Sequence, residues 1–418
     1  MANTTLNADV IANEALMILD NNLVMSNNVF RGYENEFEKK VNGYEVGETI
    51  SIRRPTDFTV RSGSTIQVQD VIEGKTTITV NRQRGVDFKF SSTDLTLNIK
   101  ELSKRVIEPA CVQLANEVDA DLMSLYSDIP NWVGTPGQTV NSYADFIKAP
   151  ERLNEFGVPL GERYGALGPS DHAGLLGSQT SLYSEGEVKS AYREAKLGRL
   201  AGVDTYMAQN VPTHTTGTRS GSPLVDGSYT ASTTSYDDVK NTMTMTLHID
   251  ALGGATETIK KGDVFTIADV YAVNSVTKQK LPFLKEFVVT ADATAAGSEV
   301  DLTIYPALIW NGAQQNVSVT SGVTDLNNKA ITFKGAASTD YRQNLVFHQN
   351  FGALVMVPMT LPADGRPASR KTDKSTGSSV RIVPVYDGTN DTNVWRLDIL
   401  YGIKAIDPRL ATRLSGTA

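Results

Sequence analysis

The amino-acid sequence predicts an α+β protein, and three patterns carry that prediction. Residues 99–127 repeat apolar side chains at helical spacing, residues 47–90 switch to a two-residue alternation, and residues 242–334 hold a succession of short strand-like runs. The chain has 418 residues. At about 150 residues per domain this gives two or three domains, each able to bury a core.

The helical segment is the clearest element. Leu102, Val106, Ala110, Leu114, Val118, Leu122 and Leu125 recur every four residues and finally after three, close to the 3.6-residue period of an α-helix. Pro109 lies inside the segment. A mid-helix proline costs about 3 kcal/mol and bends the axis, so either two helices meet there or one long helix is kinked. Cys111 reads as a small buried apolar side chain. It is the only cysteine, which excludes an intrachain disulfide and a zinc site built on several thiolates. Asp119 and Asp121 stand two residues apart and do not share a helix face; the expectation is that they face solvent or bridge to a partner.

Ahead of this helix lie an arm and a ribbon. In NADVIANEALMIL (7–19), Val10, Ile11, Ala15, Ile18 and Leu19 fit a helical stripe, with Asn7 or Asp9 as a cap. So short an amphipathic helix does not bury its stripe alone and must dock on its own body or on a neighbour. The polar, charged residues Glu34, Glu36, Glu38, Lys39 and Lys40 follow. From 47 to 90 the alternation through Phe58, Val60, Ile66, Val68, the TTITV run at 76–80, Val86, Phe88 and Phe90 predicts a long β-hairpin or small sheet. A polar two-stranded ribbon is marginally stable by itself, so the ribbon is expected either at a sheet edge or as an arm stabilised by another subunit.

Beyond the helix the pattern is mixed. Phe146, Ala149 and Leu153 line a helix that Pro150 is expected to break, residues 187–197 suggest a short helix, and GRLAGVDTYMAQNVP (198–212) reads as a turn followed by a strand. The Thr/Ser/Gly-rich stretch 213–235 has only Arg219 and Asp226 as charged residues and is expected to be a mobile surface loop or linker. MTMTLHI, KGDVFTI, KEFVVTA, EVDLTIYPAL, NVSVT and AITFKG then succeed one another between 243 and 335, the signature of a small β-barrel or sandwich. A strongly apolar run at 345–361, a charged loop at 362–379, a strand at 380–388 and a closing buried strand through Trp395, Leu397 and Ile399 complete the chain.

Composition narrows function. There are 39 basic and 47 acidic residues, a net charge of -8, which argues against a polybasic nucleic-acid surface. The longest apolar runs are far shorter than a membrane span, and the first residues do not read as a secretion signal. Phosphate-binding and dinucleotide glycine fingerprints, HExxH and GxSxG are absent. The four histidines, His172, His214, His248 and His348, are well separated, and Asp263 reads as a turn residue rather than a calcium ligand. No catalytic, cofactor or metal site is selected. An arm, a ribbon and a long helix need partners more than substrates, and basic residues such as Arg82 and Arg84 suit contacts across a subunit boundary.

In order, NADVIANEALMIL (7–19), the ribbon at 50–90, LSKRVIEPACVQLANEVDADLM (102–123), GRLAGVDTYMAQNVP (198–212) and WRLDILYGIKAIDPRLATRLSGTA (395–418) resemble the major coat proteins of tailed bacteriophages, specifically those of the Salmonella phage P22 group. The resemblance implies an HK97-like capsid fold. It would comprise an N-terminal arm at 1–46, an extended loop at 47–92, the spine helix of a peripheral domain at 93–130, the first part of the peripheral and axial domains at 131–212, an inserted β-barrel domain at 213–342, and the axial domain with a C-terminal return strand at 343–418. It implies a subunit that assembles in the host cytoplasm into an icosahedral shell of hexamers and pentamers, resident in the virion. The implied partners are a scaffolding protein, a portal ring and packaged double-stranded DNA held weakly and without sequence specificity, with no membrane and no cofactor. The intersubunit contact candidates are Ile11 and Leu16 in the arm and Arg82, Arg84, Phe88 and Phe90 in the ribbon. Two rival readings remain: a surface module that binds a receptor or glycan through the 242–334 β region, and an enzyme whose site assembles only in three dimensions.

Overall fold

The computed structural model describes residues 11–19, 23–33, 40–41, 44–45, 48–54, 56–66, 68–91, 106–179, 197–362, 368–373 and 377–417. Asn7, Asp9 and Val10 of the arm, Leu102 of the helical stripe and the short helix expected from 187, apart from Leu197, lie outside them. The chain divides into two compact units: Met1–Ser51 with Thr77–Met123 and Gly352–Lys404, and Ile52–Thr76 with Ser124–Phe351 and Ala405–Ala418. Among the described residues no helix is long and apolar enough to cross a membrane.

Among its described residues the first unit has a helix at 11–19, a longer helix and a five-stranded sheet. The helix Glu108–Met123 buries Ala110, Cys111, Leu114, Ala115, Val118 and Leu122, the stripe expected from spacing. Pro109 is the second residue of this α-helix, directly after a π-type turn at 106–107; the residues ahead of 106, on which the expected helix junction or kink depends, lie outside the described ones. Burial pushes the Cys111 thiol up to about 12, with Glu14 adding to the effect, so it is an inert packing residue. The strands Gly352–Met356, Thr392–Ala405, Ser379–Asp387 and Ser369–Thr372 form the sheet in that order, and Arg82–Ser91 also pairs with Thr392–Ala405. Leu354, Val355, Ile382, Leu397 and Ile399 are fully enclosed. Gly402 is required where the chain passes Thr79, because a Cβ there would lie 2.4 Å from the Thr79 carbonyl oxygen.

The second unit contains two larger sheets. One runs in the order Trp132–Val133, Ala411–Leu414, Asn344–His348, Arg163–Leu167, Val203–Met207 and Arg199–Leu200, with the helices Tyr143–Glu155 and Pro169–Gln179 in the same unit. Ser142 caps the first helix by accepting from the Asp145 backbone N–H at 3.1 Å. Pro150 does not break that helix, which continues to Glu155. Phe146, Ala149 and Leu153 are buried on one face, and that packing outweighs the single lost hydrogen bond.

The other sheet is antiparallel. Gly221–Val225, Met245–Leu252, Val300–Tyr305, Lys280–Val289 and Val264–Val273 pair in sequence around it, and Val317–Val319 and Ile331–Phe333 both pair with Val264–Val273. Leu224 also bridges Ala330. Leu247, Ile249, Phe265, Phe287, Leu302 and Ile304 form its core. The Ser/Thr-rich stretch at 213–235 is not a free linker: it supplies Thr213–Thr215 and Gly221–Val225 as strands. Threonine suits the pleated surface, and the stretch is pinned by a buried ion pair in which Arg219 Nη1 lies 3.1 Å from Asp263 Oδ2.

The ribbon is shorter than its pattern suggests. Thr49–Arg53 pairs with Lys75–Thr79, but the described residues between 56 and 74 form no strand. A side chain replaces the ladder there: Gln69 Oε1 accepts from the Thr59 N–H at 2.8 Å and Gln69 Nε2 donates to the Thr59 carbonyl at 2.6 Å.

Candidate interaction surface

The alternation of residues 82–90 becomes a strand with two unlike faces. Arg82, Arg84, Val86, Phe88 and Phe90 are half-buried on one face, while Gln83, Gly85, Asp87 and Lys89 are exposed on the other. The strand pairs antiparallel with Thr392–Ala405, from Arg82 opposite Tyr401 to Ser91 opposite Thr392. On the half-buried face Arg82 Nη1 lies 2.7 Å from Asp121 Oδ1, and Arg84 Nε lies 3.0 Å from Glu117 Oε1. Both arginines therefore find carboxylates on the helix of their own chain. Tyr401 donates to Asp121 at 2.6 Å; burial and that hydrogen bond push the phenol above its ordinary range. Asp121 thus ties strand, helix and sheet together instead of facing solvent. Farther along, the Phe88 and Phe90 rings meet edge to face with centroids 5.4 Å apart. In the arm, residues 11–19 are helical; Ala12, Ala15 and Leu19 are buried, and Ile11 and Leu16 are half-buried.

Sequence reasoning missed Asp119. It is buried and accepts from the backbone N–H groups of Val24 at 2.9 Å, Met25 at 3.2 Å and Ser26 at 3.1 Å, and from Ser26 Oγ at 2.8 Å. One carboxylate so holds the segment after the arm helix on the helix Glu108–Met123, satisfying donors that burial would otherwise strand. The available signal was weak, since Val118 of the apolar stripe is flanked by two acidic residues, Glu117 and Asp119, and only one of them is buried.

The loop 56–71 presents the opposite situation. Phe58 is 56% exposed, Val60 99%, Ile66 79%, Val68 88% and Val71 63%. Scattered exposed aliphatics are ordinary, but several within one short loop form a patch that calls for a cover. The root of the loop is held: Asp57 Oδ2 lies 3.7 Å from Lys278 Nζ and 4.0 Å from Arg409 Nη1.

Two histidines acquire partners that the sequence did not reveal. Tyr126 Oη lies 3.2 Å from His214 Nδ1, and His214 Nε2 lies 3.0 Å from Asp263 Oδ1. Asp263 also accepts from the Gly217 and Lys260 backbone N–H groups. Burial opposes its ionisation, but the His214 hydrogen bond and the Arg219 charge prevail and hold its carboxyl below the usual range. Both His214 and Asp263 are enclosed, so these contacts join elements of the fold. His248 sits at the surface with Asp301 Oδ1 2.7 Å from Nδ1 and Asp226 Oδ2 3.4 Å from Nε2. Among the described residues no group of three or more His, Cys, Asp or Glu side chains is arranged to hold a metal ion.

Comparison with known proteins adds the decisive observation. The family model described as P22 coat protein, gene protein 5, matches residues 1–416. None of the curated proteins matches. Among solved structures, one of Mycobacterium phage Che8 is similar at 12% identity and a TM-score of 0.48, over 94% of this chain and 90% of that one. The capsid of Ralstonia phage GP4 is similar at 9% identity and a TM-score of 0.42, over 90% and 85% respectively. The family match alone carries the assignment.

Proposed function

The chain belongs to the P22 coat protein family and is a shell-forming phage coat protein, and we propose that it closes its shell through the arm, the 56–71 loop and the strand Arg82–Ser91. In this reading the fold is HK97-like. Residues 1–46 are the arm, 47–92 the extended loop, and the helix Glu108–Met123 is the spine. The antiparallel sheet between 221 and 333, whose strand Gly221–Val225 meets the far side of the sheet through the Leu224–Ala330 bridge, supports reading 213–342 as an inserted barrel. Hexamers and pentamers of the chain enclose double-stranded DNA in the virion. Assembly runs in the host cytoplasm with a scaffolding protein and a portal ring. A net charge of -8 suits weak contact with the packaged DNA. The role is structural rather than enzymatic.

The observation that carries this reading is the exposed apolar loop. Covering one valine is worth about 1.5 kcal/mol, and the gain recurs at every copy, so individually weak contacts suffice for a closed shell. The six contact candidates divide accordingly. Ile11, Leu16, Phe88 and Phe90 keep part of their surface for a neighbour. Arg82 and Arg84, already paired at home, set register by exchanging carboxylates and add little affinity.

Negative-stain microscopy of protein produced with and without its neighbouring genes tests the proposal. Closed shells or curved sheets are expected, and dependence on a neighbour identifies the scaffold. Uniform small particles of monomeric or trimeric mass in both preparations would overturn it. Replacing Val60, Ile66, Val68 and Val71 together with Ser is expected to leave the thermal midpoint of the subunit within a few degrees while abolishing closed shells; shells of normal yield would remove the loop from the contact.

A further inference from the structure

Within the second unit a cavity of about 420 Å³ is lined by Phe58, Phe156, Val158, Met243 and Leu410, and by Lys285. It falls in the size range of small-molecule sites, which are mostly apolar with a few placed polar groups. Val60 and Val276, both largely exposed, stand at its rim.

The charges around it do not balance. Lys278 and Arg409 also line the cavity, and carboxylates answer both. Asp57 lies 3.7 Å from Lys278 and 4.0 Å from Arg409, and Asp407 lies 2.7 Å from Arg409. Lys285 is 5% exposed and, among the described residues, makes no hydrogen bond and no direct ion pair; the Glu286 and Asp407 carboxylates act on it only through space. Among the described residues its close electrostatic contact is the Phe156 ring, whose centroid is 4.7 Å from Nζ. Glu286, the next residue on the strand, is engaged elsewhere: it accepts from the Trp132 N–H at 2.8 Å and pairs with Lys334 and Arg152. A buried ammonium without a directly paired counter-charge is costly. Desolvation, reinforced by Arg409 and only partly opposed by Glu286 and Asp407, pushes Lys285 down to about 8.

We propose that this cavity is a binding site for a small amphipathic monocarboxylate, its head on the Lys285 ammonium and its hydrocarbon against Phe156, Val158 and Met243. One negative charge completes the local balance; a dianion exceeds it and leaves the apolar walls uncovered. Phe58 and Val60 belong both to the cavity lining and to the 56–71 loop, so binding is read on the unassembled chain, where it does not depend on the assembly proposal.

Titration calorimetry on the full-length, unassembled chain tests this, with sodium octanoate as the probe and octanamide and inorganic phosphate for comparison. Octanoate is expected to bind once per chain, and octanamide at least about ten-fold more weakly. Lys285→Met should weaken octanoate about ten-fold or more while Lys285→Arg retains binding. Val276→Trp, at the exposed rim, should obstruct entry without unfolding the chain. Absence of octanoate binding, undiminished binding to Lys285→Met, or phosphate binding as tightly as octanoate would overturn the proposal. Should Lys285→Met fail to fold, undiminished binding to Val276→Trp would overturn it in its place.

Discussion

The strand Arg82–Ser91 and the loop 56–71 lie close in sequence and carry similar apolar content, yet their surroundings differ. The strand is hydrogen-bonded along its length to Thr392–Ala405, and its two arginines are paired with the helix Glu108–Met123. The loop has no ladder across its tip, a glutamine side chain clipping Thr59 in its stead, and five large apolar residues in solvent. A surface already satisfied at home adds specificity when it meets a neighbour. A surface left unsatisfied adds affinity. The proposed division gives the driving force of assembly to the loop and the register to the strand.

The strongest challenge to that division is the double substitution Phe88→Ser and Phe90→Ser. If the half-buried rings also serve a neighbour, soluble subunits with an unchanged circular-dichroism spectrum are expected that do not close shells, each ring forfeiting about 1.5–3 kcal/mol at every copy. Aggregation before assembly would show that the rings fill the subunit's own core and that the strand has no spare surface. Next in size is Asp119→Ala, which strands buried backbone donors. Urea unfolding is expected to show a loss of about 3 kcal/mol, with proteolysis appearing between residues 19 and 33. A loss below about 0.5 kcal/mol would mean that the segment is held by packing alone. Arg84→Ala removes a solvent-exposed pair and is expected to cost less than about 1 kcal/mol; slower or misregistered assembly at nearly unchanged subunit stability would sharpen the register role.

The smallest expected effect is a pH dependence at His248. The Asp301 hydrogen bond, with the nearby carboxylates, raises its pKa above 6.5. The folded state therefore holds this proton more tightly than the unfolded chain. The resulting stability is fully present below about pH 6.5 and is lost as pH rises through the raised folded value. His248→Gln should flatten the urea midpoint between about pH 6 and 8; an unchanged slope would show that the surface carboxylates are screened.

Local periodicity made several elements legible. The Ala110–Leu122 stripe, the alternation of 82–90 and the strand runs between 243 and 333 appear where the pattern places them. It failed where long-range packing decides. Helix Tyr143–Glu155 runs through Pro150 because Phe146, Ala149 and Leu153 are enclosed. The stretch 213–235 joins sheets because Arg219 meets Asp263, 44 residues away. The partners of Arg82 and Arg84 are Asp121, expected to face solvent or bridge to a partner, and Glu117, which the spacing did not single out.

By itself the sequence determined the α+β class, the helix and strand faces, the unreactive Cys111 and the family likeness, because each depends on neighbours a few residues away or on residue order. Only the tertiary structure decided that Asp119 holds the segment after the arm, that the loop rather than the strand keeps its apolar surface bare, and that Lys285 lines a cavity with no carboxylate paired to it directly among the described residues. Those are matters of burial and charge balance, set by which distant residues arrive at the same place.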